Sequence, residues 1–133
     1  MIRQLSVFVE NKPGSFRQVM AELHREKIEV YAFCSVDSPE FGILRLIVGQ
    51  PQRAEELLVA AGFMVKNYDV IAVKTDRERT MEDLLGACHE SNISINYMYS
   101  SFGSGDGNPT AVFHCEYVEE TESMLRARGF VCI

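Results

Sequence analysis

The sequence has no tryptophan, only four prolines and three histidines, and its basic residues are in the minority. Thirteen lysines and arginines stand against nineteen aspartates and glutamates, which gives a net charge of −6. Surfaces that bind nucleic-acid phosphates or anionic lipid are usually basic, so neither nucleic acid nor a membrane is an expected partner. No apolar run approaches the ~18 residues that a membrane-spanning helix needs, and no basic-then-apolar leader opens the sequence. These absences predict a cytoplasmic protein.

The four cysteines lack the spacing of a metal or redox motif. Cys34, Cys88, Cys115 and Cys132 are widely separated, and no CxxC pair occurs. A zinc ribbon and a thioredoxin-like redox pair both need closely spaced cysteines, so neither is expected. Buried, reduced thiols that serve as packing residues are the favoured interpretation. A disulfide or a reactive thiol is the alternative.

The three histidines also give no metal or catalytic pattern. His24 and His89 fall near the predicted ends of two helices, where a cation interacts favourably with the helix dipole. His114 and Cys115 are neighbours in a predicted strand and therefore point to opposite faces, so they cannot form a local chelate. The sequence predicts neither a metal ion nor a cofactor.

The sequence repeats itself with a period of about 65 residues. Ser15 corresponds to Thr80, which lies 65 positions further on, and near the end of each copy Gly62 corresponds to Gly129, with a shift of 67. The change of shift indicates two extra residues in the second copy, near residues 103–109. An internal repeat of this length predicts that one structural unit has been duplicated.

Each copy is predicted to have the element order βαββαβ. In the first copy Leu5, Val7 and Val9 alternate with polar residues, as in a strand. Ser15, with Gln18 three residues later, is typical of a capping box, so a helix is predicted to begin there. A βαββαβ unit of this length has the ferredoxin-like fold.

Two ferredoxin-like units, residues 1–68 and 69–133, would leave two unpaired sheet edges. Right-handed crossovers give each unit the strand order fourth, first, third, second, so the second strand lies at an edge. Because an unpaired edge is a liability, we expect residues 28–36 to pair with residues 93–101. The prediction is an α+β fold whose units join edge to edge into an eight-stranded antiparallel sheet with four helices on one face. The small core of each unit also favours a homodimer formed through the bare face.

The loop at residues 11–15 is the best candidate for a binding site. It joins a strand to a helix N-terminus, whose free N–H groups and partial positive charge suit a carboxylate. Gly14 lets a ligand approach the backbone, Pro13 stiffens the loop, and the amide of Asn11 can both donate and accept hydrogen bonds. An ordinary capped turn is the alternative.

These features together resemble the ACT domain. The resemblance is carried by an alternating strand, a short loop motif, a helix and a second strand: Leu5, Val7 and Val9, then Asn11-x-Pro13-Gly14, then Ile28-x-Val30. It covers the whole chain as two ACT units and is stronger in the first. It implies a protein that binds a small ligand, most often a free amino acid, and passes the binding on to an enzyme or regulator.

The resemblance also implies which residues contact the ligand. Family sites lie where the first loop of one unit faces the edge strand of its neighbour, so the ligand is expected at the junction between the two units. The implied contacts are Asn11, Pro13, Gly14, Ser15 and Phe16 in the loop, and Ser94, Asn96 and Met98 in the edge strand of the second copy.

The second copy departs from this pattern in its own first loop, residues 76–80. It lacks the glycine, and Asp76 and Glu78 would repel a ligand carboxylate. We therefore predict one good site per chain. Whether the second loop binds anything is left open.

We interpret the protein as a non-enzymatic, amino-acid-binding regulator. Two alternatives stay open: a structural assembly subunit, and a small metabolite-handling enzyme on the same fold. An enzyme would need converging titratable groups, and the sequence supplies no convincing cluster. Residues 103–107 are rich in glycine but lack a Walker lysine, so they are predicted to form a hairpin tip. Tyr97, Tyr99 and Phe102 are expected to pack on a sheet face, and a surface for a ligand or partner is the alternative.

Overall fold

The computed structural model describes residues 1–102 and 107–133, so most of the predicted hairpin tip lies outside the described residues. The elements in chain order are β1 (Ile2–Glu10), α1 (Ser15–Arg25), β2 (Val30–Asp37), β3 (Phe41–Val48), α2 (Pro51–Ala60), β4 (Met64–Lys74), α3 (Met81–Glu90), β5 (Ile95–Ser101), β6 (Thr110–Cys115), α4 (Val118–Ala127) and β7 (Val131–Cys132). Within the described ranges, every helix is too short or too polar to cross a membrane.

The chain divides into two compact units. The first unit comprises Arg3–Tyr68, and the second comprises Asp69–Ile133 together with Met1–Ile2. The boundary falls inside β4, because Tyr68 ends the first unit and Asp69 follows it in the second.

Both units have the predicted strand order. In the first unit β3 pairs antiparallel with β1 and with β2, and β4 is the other neighbour of β1. In the second unit β4 pairs antiparallel with β6 and β7, and β6 pairs with β5. Each unit therefore has the order fourth, first, third, second of a ferredoxin-like fold.

The prediction of an eight-stranded sheet is wrong. Among the described residues the sheet has seven strands in the order β2-β3-β1-β4-β6-β5, with β7 paired to β4. The fourth strand predicted for the first copy and the first strand predicted for the second are one continuous strand of 11 residues, β4. Residues 64–74 contain neither proline nor glycine, the residues that most often break a strand, although Asn67 and Asp69 are common turn residues. The edge-to-edge pairing of residues 28–36 with 93–101 is not among the strand pairs of the described residues.

Each unit has its own hydrophobic core between its strands and its two helices. Alternate residues of the strands meet the apolar faces of the helices, as the periodicity predicted. The first core includes Leu5, Val7, Val9, Leu44 and Leu46 from strands and Val19, Leu23, Ala54 and Leu58 from α1 and α2. The second includes Ile71, Val73, Ala111 and Phe113 from strands and Leu84, Ala87 and Leu125 from α3 and α4.

Burial also extends to the strand residues that alternate with the core. Gln4 and Ser6 flank Leu5 in β1, yet both are buried, and Gln4 Nε2 donates to Ser6 Oγ at 3.3 Å. In the second unit Val112 is likewise buried, although it alternates with core residues of β6. These three residues are therefore shielded from solvent although they alternate with core residues.

Three of the four cysteines are packing residues of the second core. Cys88, Cys115 and Cys132 are buried there, and all four thiols of the chain are free. Burial raises the pKa of the Cys88 and Cys132 thiols, which keeps them protonated and unreactive at neutral pH. Cys34 is half-buried in β2. The packing interpretation is therefore confirmed for these three.

The segments that follow α1 and α3 each contain one residue with left-handed backbone. Lys27 has a φ of 58° and Asn92 has a φ of 57°. In the first unit the N–H of Ile28 then donates to the carbonyl of Leu23 at 2.9 Å, which completes the helix cap. Glycine adopts this conformation without steric cost and asparagine tolerates it, whereas lysine is strained in it.

We expect Lys27→Gly to raise the free energy of unfolding by about 1 kcal/mol, because removing the side chain relieves the clash of a left-handed residue. Urea unfolding followed by circular dichroism measures the change. Asn92→Gly is the matched control, and it should raise the free energy of unfolding by less. A loss of stability in Lys27→Gly would contradict the strain that we assign to this position.

Candidate ligand-binding site

A cavity of about 330 Å³ lies beside the N-terminus of α1 in the first unit. Its lining comes from the end of β1, the loop at residues 11–15, the first turn of α1, the end of β2 and Gly42 in β3. The antiparallel register explains this grouping, because Gly42 is paired with Val9 in β1 and with Asp37 in β2. The start of β3 thus brings the candidate loop and the end of β2 to one place.

Most of the predicted loop residues line this cavity. Those in the lining are Asn11, Gly14, Ser15 and Phe16. Pro13 is exposed and outside the lining. The amide nitrogen of Asn11 donates to the carbonyl oxygen of Ser38 at 3.4 Å, which connects the loop to the turn between β2 and β3.

The predicted capping box at the start of α1 is wrong. Gly14 is the N-cap residue, with a φ of 86° in the left-handed region that favours glycine, and no side chain caps the helix. Ser15 lies inside the first turn instead of before it, and the N–H of Gln18 donates to the carbonyl of Gly14 at 3.0 Å. The hydroxyl of Ser15 is therefore not used in capping.

The start of α1 holds polar groups without partners. Ser15 is only 6% exposed, and its Oγ has no hydrogen-bond partner among the described residues. Within the same residues, no acceptor is found for the backbone N–H of Phe16 or Arg17. An unsatisfied buried hydroxyl destabilises a protein by about 1–3 kcal/mol, and free N–H groups at a helix start favour an anion. This part of the cavity can hold a carboxylate.

Four charged residues line the cavity, and two of them pair with each other. Lys12 Nζ lies 3.1 Å from Glu10 Oε2. Arg17 and Asp37 make no ion pair within the part of the chain that the structure describes. Arg17 therefore offers a positive charge, and Asp37 a negative charge, to a ligand in the cavity.

The equivalent loop of the second unit satisfies its own donors. Asp76 Oδ1 accepts hydrogen bonds from the N–H groups of Glu78 at 2.8 Å and Arg79 at 2.7 Å. Thr80 caps α3 by accepting from the N–H of Asp83 at 3.1 Å, and Asp83 accepts from the N–H of Thr80 at 2.9 Å. Hydrogen bonds from Thr80 hold the pKa of Asp83 below its ordinary value. Side chains thus accept hydrogen bonds from N–H groups in this loop and at the start of α3, whereas no side chain caps α1.

The residues predicted on the edge strand of the second copy are not in the cavity lining. Ser94 and Asn96 are exposed, and Asn96 Nδ2 lies 2.9 Å from His114 Nδ1. Met98 packs against the second core, because the register of β5 shifts before Tyr97 and reverses the side-chain alternation. A ligand contact by these three residues stays a prediction.

Several residues of the cavity were not predicted from the sequence: Arg17, Ser35, Asp37 and Gly42. A signal existed for Gly42, since the predicted strand order already places the start of the third strand beside the end of the first. Arg17 had no signal, because an arginine near a helix start usually belongs to a solvated face.

The three histidines and Tyr97 lie outside the lining of this cavity. His24 and His89 lie in the last turns of α1 and α3, as predicted. Tyr97 stacks on His114 with ring centroids 5.5 Å apart and an interplanar angle of 10°. Among the described residues, no group of three or more His, Cys, Asp or Glu side chains is placed to hold a metal ion.

The fold class is thus a tandem pair of ferredoxin-like units, and comparison with known proteins identifies the family. The family model of the ACT domain pair matches residues 1–130, so the chain belongs to this family. The resemblance inferred from the sequence is confirmed.

Two solved structures are similar over almost the whole chain. Protein BT0572 from Bacteroides thetaiotaomicron has a TM-score of 0.90 and 28% sequence identity, over 99% of this chain and 91% of that chain. The ligand-free regulatory subunit of aspartate kinase from Thermus thermophilus has a TM-score of 0.66 and 19% identity, over 94% and 91% of the two chains. No curated protein matches the sequence.

Proposed function

We propose that the protein is a non-catalytic regulatory protein that binds a free amino acid in the cavity of the first unit. The observation that carries this proposal is the buried hydroxyl of Ser15, which has no partner among the described residues and lies at an uncapped helix N-terminus. A ligand carboxylate there would accept hydrogen bonds from Ser15 and from the N–H groups of Phe16 and Arg17. Asp37 would face the ammonium group.

The regulatory part of the proposal is supported by family and fold. The chain belongs to the ACT domain pair family, and it shares its fold with a regulatory subunit of aspartate kinase. Binding at a cavity between a loop and a strand end would favour one conformation of the first unit over others. A partner enzyme or regulator that recognises this conformation would then respond to the amino acid.

We also propose that the chain acts as a homodimer. Strands β2 and β5 each pair on one side only among the described residues. Strand β2 carries Tyr31 and Phe33 with 56% and 64% of their surface exposed, and an open apolar edge favours pairing with another chain. Sedimentation equilibrium should give twice the mass of the chain. A monomer at micromolar concentration would contradict a dimer.

We expect Ser15→Ala to stabilise the ligand-free protein and to weaken ligand binding. Removing a buried hydroxyl that has no partner also removes its desolvation penalty, so the free energy of unfolding should rise by about 1 kcal/mol. The same change removes a hydrogen bond to the ligand carboxylate, so Kd should rise about 10-fold. A thermal-shift screen against the standard amino acids identifies the ligand, and calorimetry measures both Kd values.

Thr80→Ala is the control, because Thr80 corresponds to Ser15 in the sequence repeat but caps its helix, α3. Loss of this cap should lower the free energy of unfolding by about 1 kcal/mol and leave binding unchanged. The two alanine variants should therefore change stability in opposite directions. The proposal fails if no amino acid raises Tm, or if Ser15→Ala binds the ligand as tightly as the original protein.

A further inference from the structure

We propose that the amino acid bound in this cavity has an uncharged, apolar side chain, and that Gly42 limits the size of this side chain. The inference rests on the proposed function and goes beyond it, because it names the class of ligand. It depends on the charges of the lining, on its apolar surfaces and on the space above Gly42.

The charged groups of the lining match only the backbone part of an amino acid. Arg17 and the start of α1 suit the carboxylate, and Asp37 suits the ammonium. Glu10 and Lys12 neutralise each other at 3.1 Å. No other charged residue is among the described residues of the lining, so a charged ligand side chain would be desolvated without an ion-pair partner.

Apolar surface remains for the side chain of the ligand. Val9 is a buried core residue, and Phe16 is 40% exposed. A Cβ atom at Gly42 would lie 3.4 Å from Cγ2 of Val9 and 3.5 Å from the ring of Phe16. The missing side chain at Gly42 therefore leaves space against these two apolar groups. A ligand side chain in this space would gain the same contacts.

The described part of the second unit has a different pair of residues at this place. Val73 is a core residue, so strand alternation puts Thr75, whose N–H donates to the carbonyl of Pro109 at 3.2 Å, where the first unit has Val9. Glycine paired with valine is thus a feature of the first unit. The cavity of about 330 Å³ is at the lower end of the range for small-molecule sites, which favours a single amino acid over a peptide or nucleotide.

Isothermal titration calorimetry of the full chain tests the ligand class. The apolar probes are alanine, valine, leucine, methionine and phenylalanine, and the charged probes are lysine and aspartate. The tightest apolar probe should bind at least about 100-fold more tightly than either charged probe, since these leave an unpaired charge. If lysine or aspartate binds most tightly, the inference is overturned and the proposed function stands. If no amino acid binds, the proposed function itself fails.

Gly42→Ala tests the size limit. The added methyl group meets its neighbours at ordinary contact distances, so we expect the variant to fold, which circular dichroism checks. The affinity for the tightest large probe should fall about 10-fold, and the affinity for alanine should change less than about 2-fold. The reason is that the methyl group fills space that only a large ligand side chain occupies. An equal loss for both probes, or no loss for either, would overturn the role of Gly42. Phe16→Ala should weaken the large probe without affecting alanine.

Discussion

Replacing Phe113 by alanine is expected to lower the free energy of unfolding by about 3–5 kcal/mol. Phe113 is fully buried in the core of the second unit, and it is the largest of the fully buried side chains. It lies in β6 between Ile71 of β4 and Met98 of β5 in the strand register. Truncation would leave a cavity that paired strands cannot close, because their spacing is held by the backbone hydrogen bonds.

Phe102→Ala is the control for this variant. Phe102 belongs to the same unit and is 70% exposed, so the same chemical change should alter stability by less than about 0.5 kcal/mol. Urea unfolding is followed by far-ultraviolet circular dichroism, since the chain has no tryptophan for fluorescence. Equal stabilities of the two variants would show that Phe113 does not have the packing role described here.

Replacing Gly14 by valine is expected to weaken ligand binding strongly. Gly14 has a φ of 86°, a conformation that a β-branched residue adopts only with strain, so the start of α1 should shift or the stability fall by about 1–2 kcal/mol. A Cβ atom at this position would meet no protein atom within 4 Å, and because Gly14 lines the cavity, the valine side chain would lie near the N–H groups that we propose bind the carboxylate. Losing these contacts should weaken binding roughly 100-fold, about 2.7 kcal/mol.

Gly62→Val separates the loss of the site from general strain. Gly62 follows α2 with a φ of 97°, a Cβ there would also meet nothing within 4 Å, and it does not line the cavity. Its substitution should therefore lower stability by a similar amount and leave the Kd of the ligand unchanged. Loss of binding in both variants would mean that strain, and not the local geometry of Gly14, is responsible.

Much of the fold could be predicted because its signals are local. The alternation of Leu5, Val7 and Val9 identified a strand, and right-handed crossovers gave the strand order found in both units. The number of strands could not be predicted in the same way. The first predicted unit ends at Tyr68, which suggested that one strand ends there and another begins. In the structure β4 runs on without a break, because each half of it pairs with a neighbouring strand.

The candidate site could be predicted only in part, and the reason is again physical. Gly14 and Ser15 carry a recognisable loop pattern, and both line the cavity. Asp37 and Gly42 come from segments far along the chain, and the strand register brings them to that loop. Met98 was predicted to share a face with Asn96, but the irregular register of β5 turned it toward the core.

The sequence by itself determined the duplicated unit, its helices and strands, its family and the loop at residues 11–15. Each of these depends on periodicity, propensity or turn chemistry between residues close in the chain. Only the tertiary structure decided that the hydroxyl of Ser15 is buried without a partner among the described residues, that Asp76 satisfies the second loop, and that Gly42 leaves space beside Val9. Burial and hydrogen-bond satisfaction depend on which distant segments pack together, and local sequence carries no direct record of that.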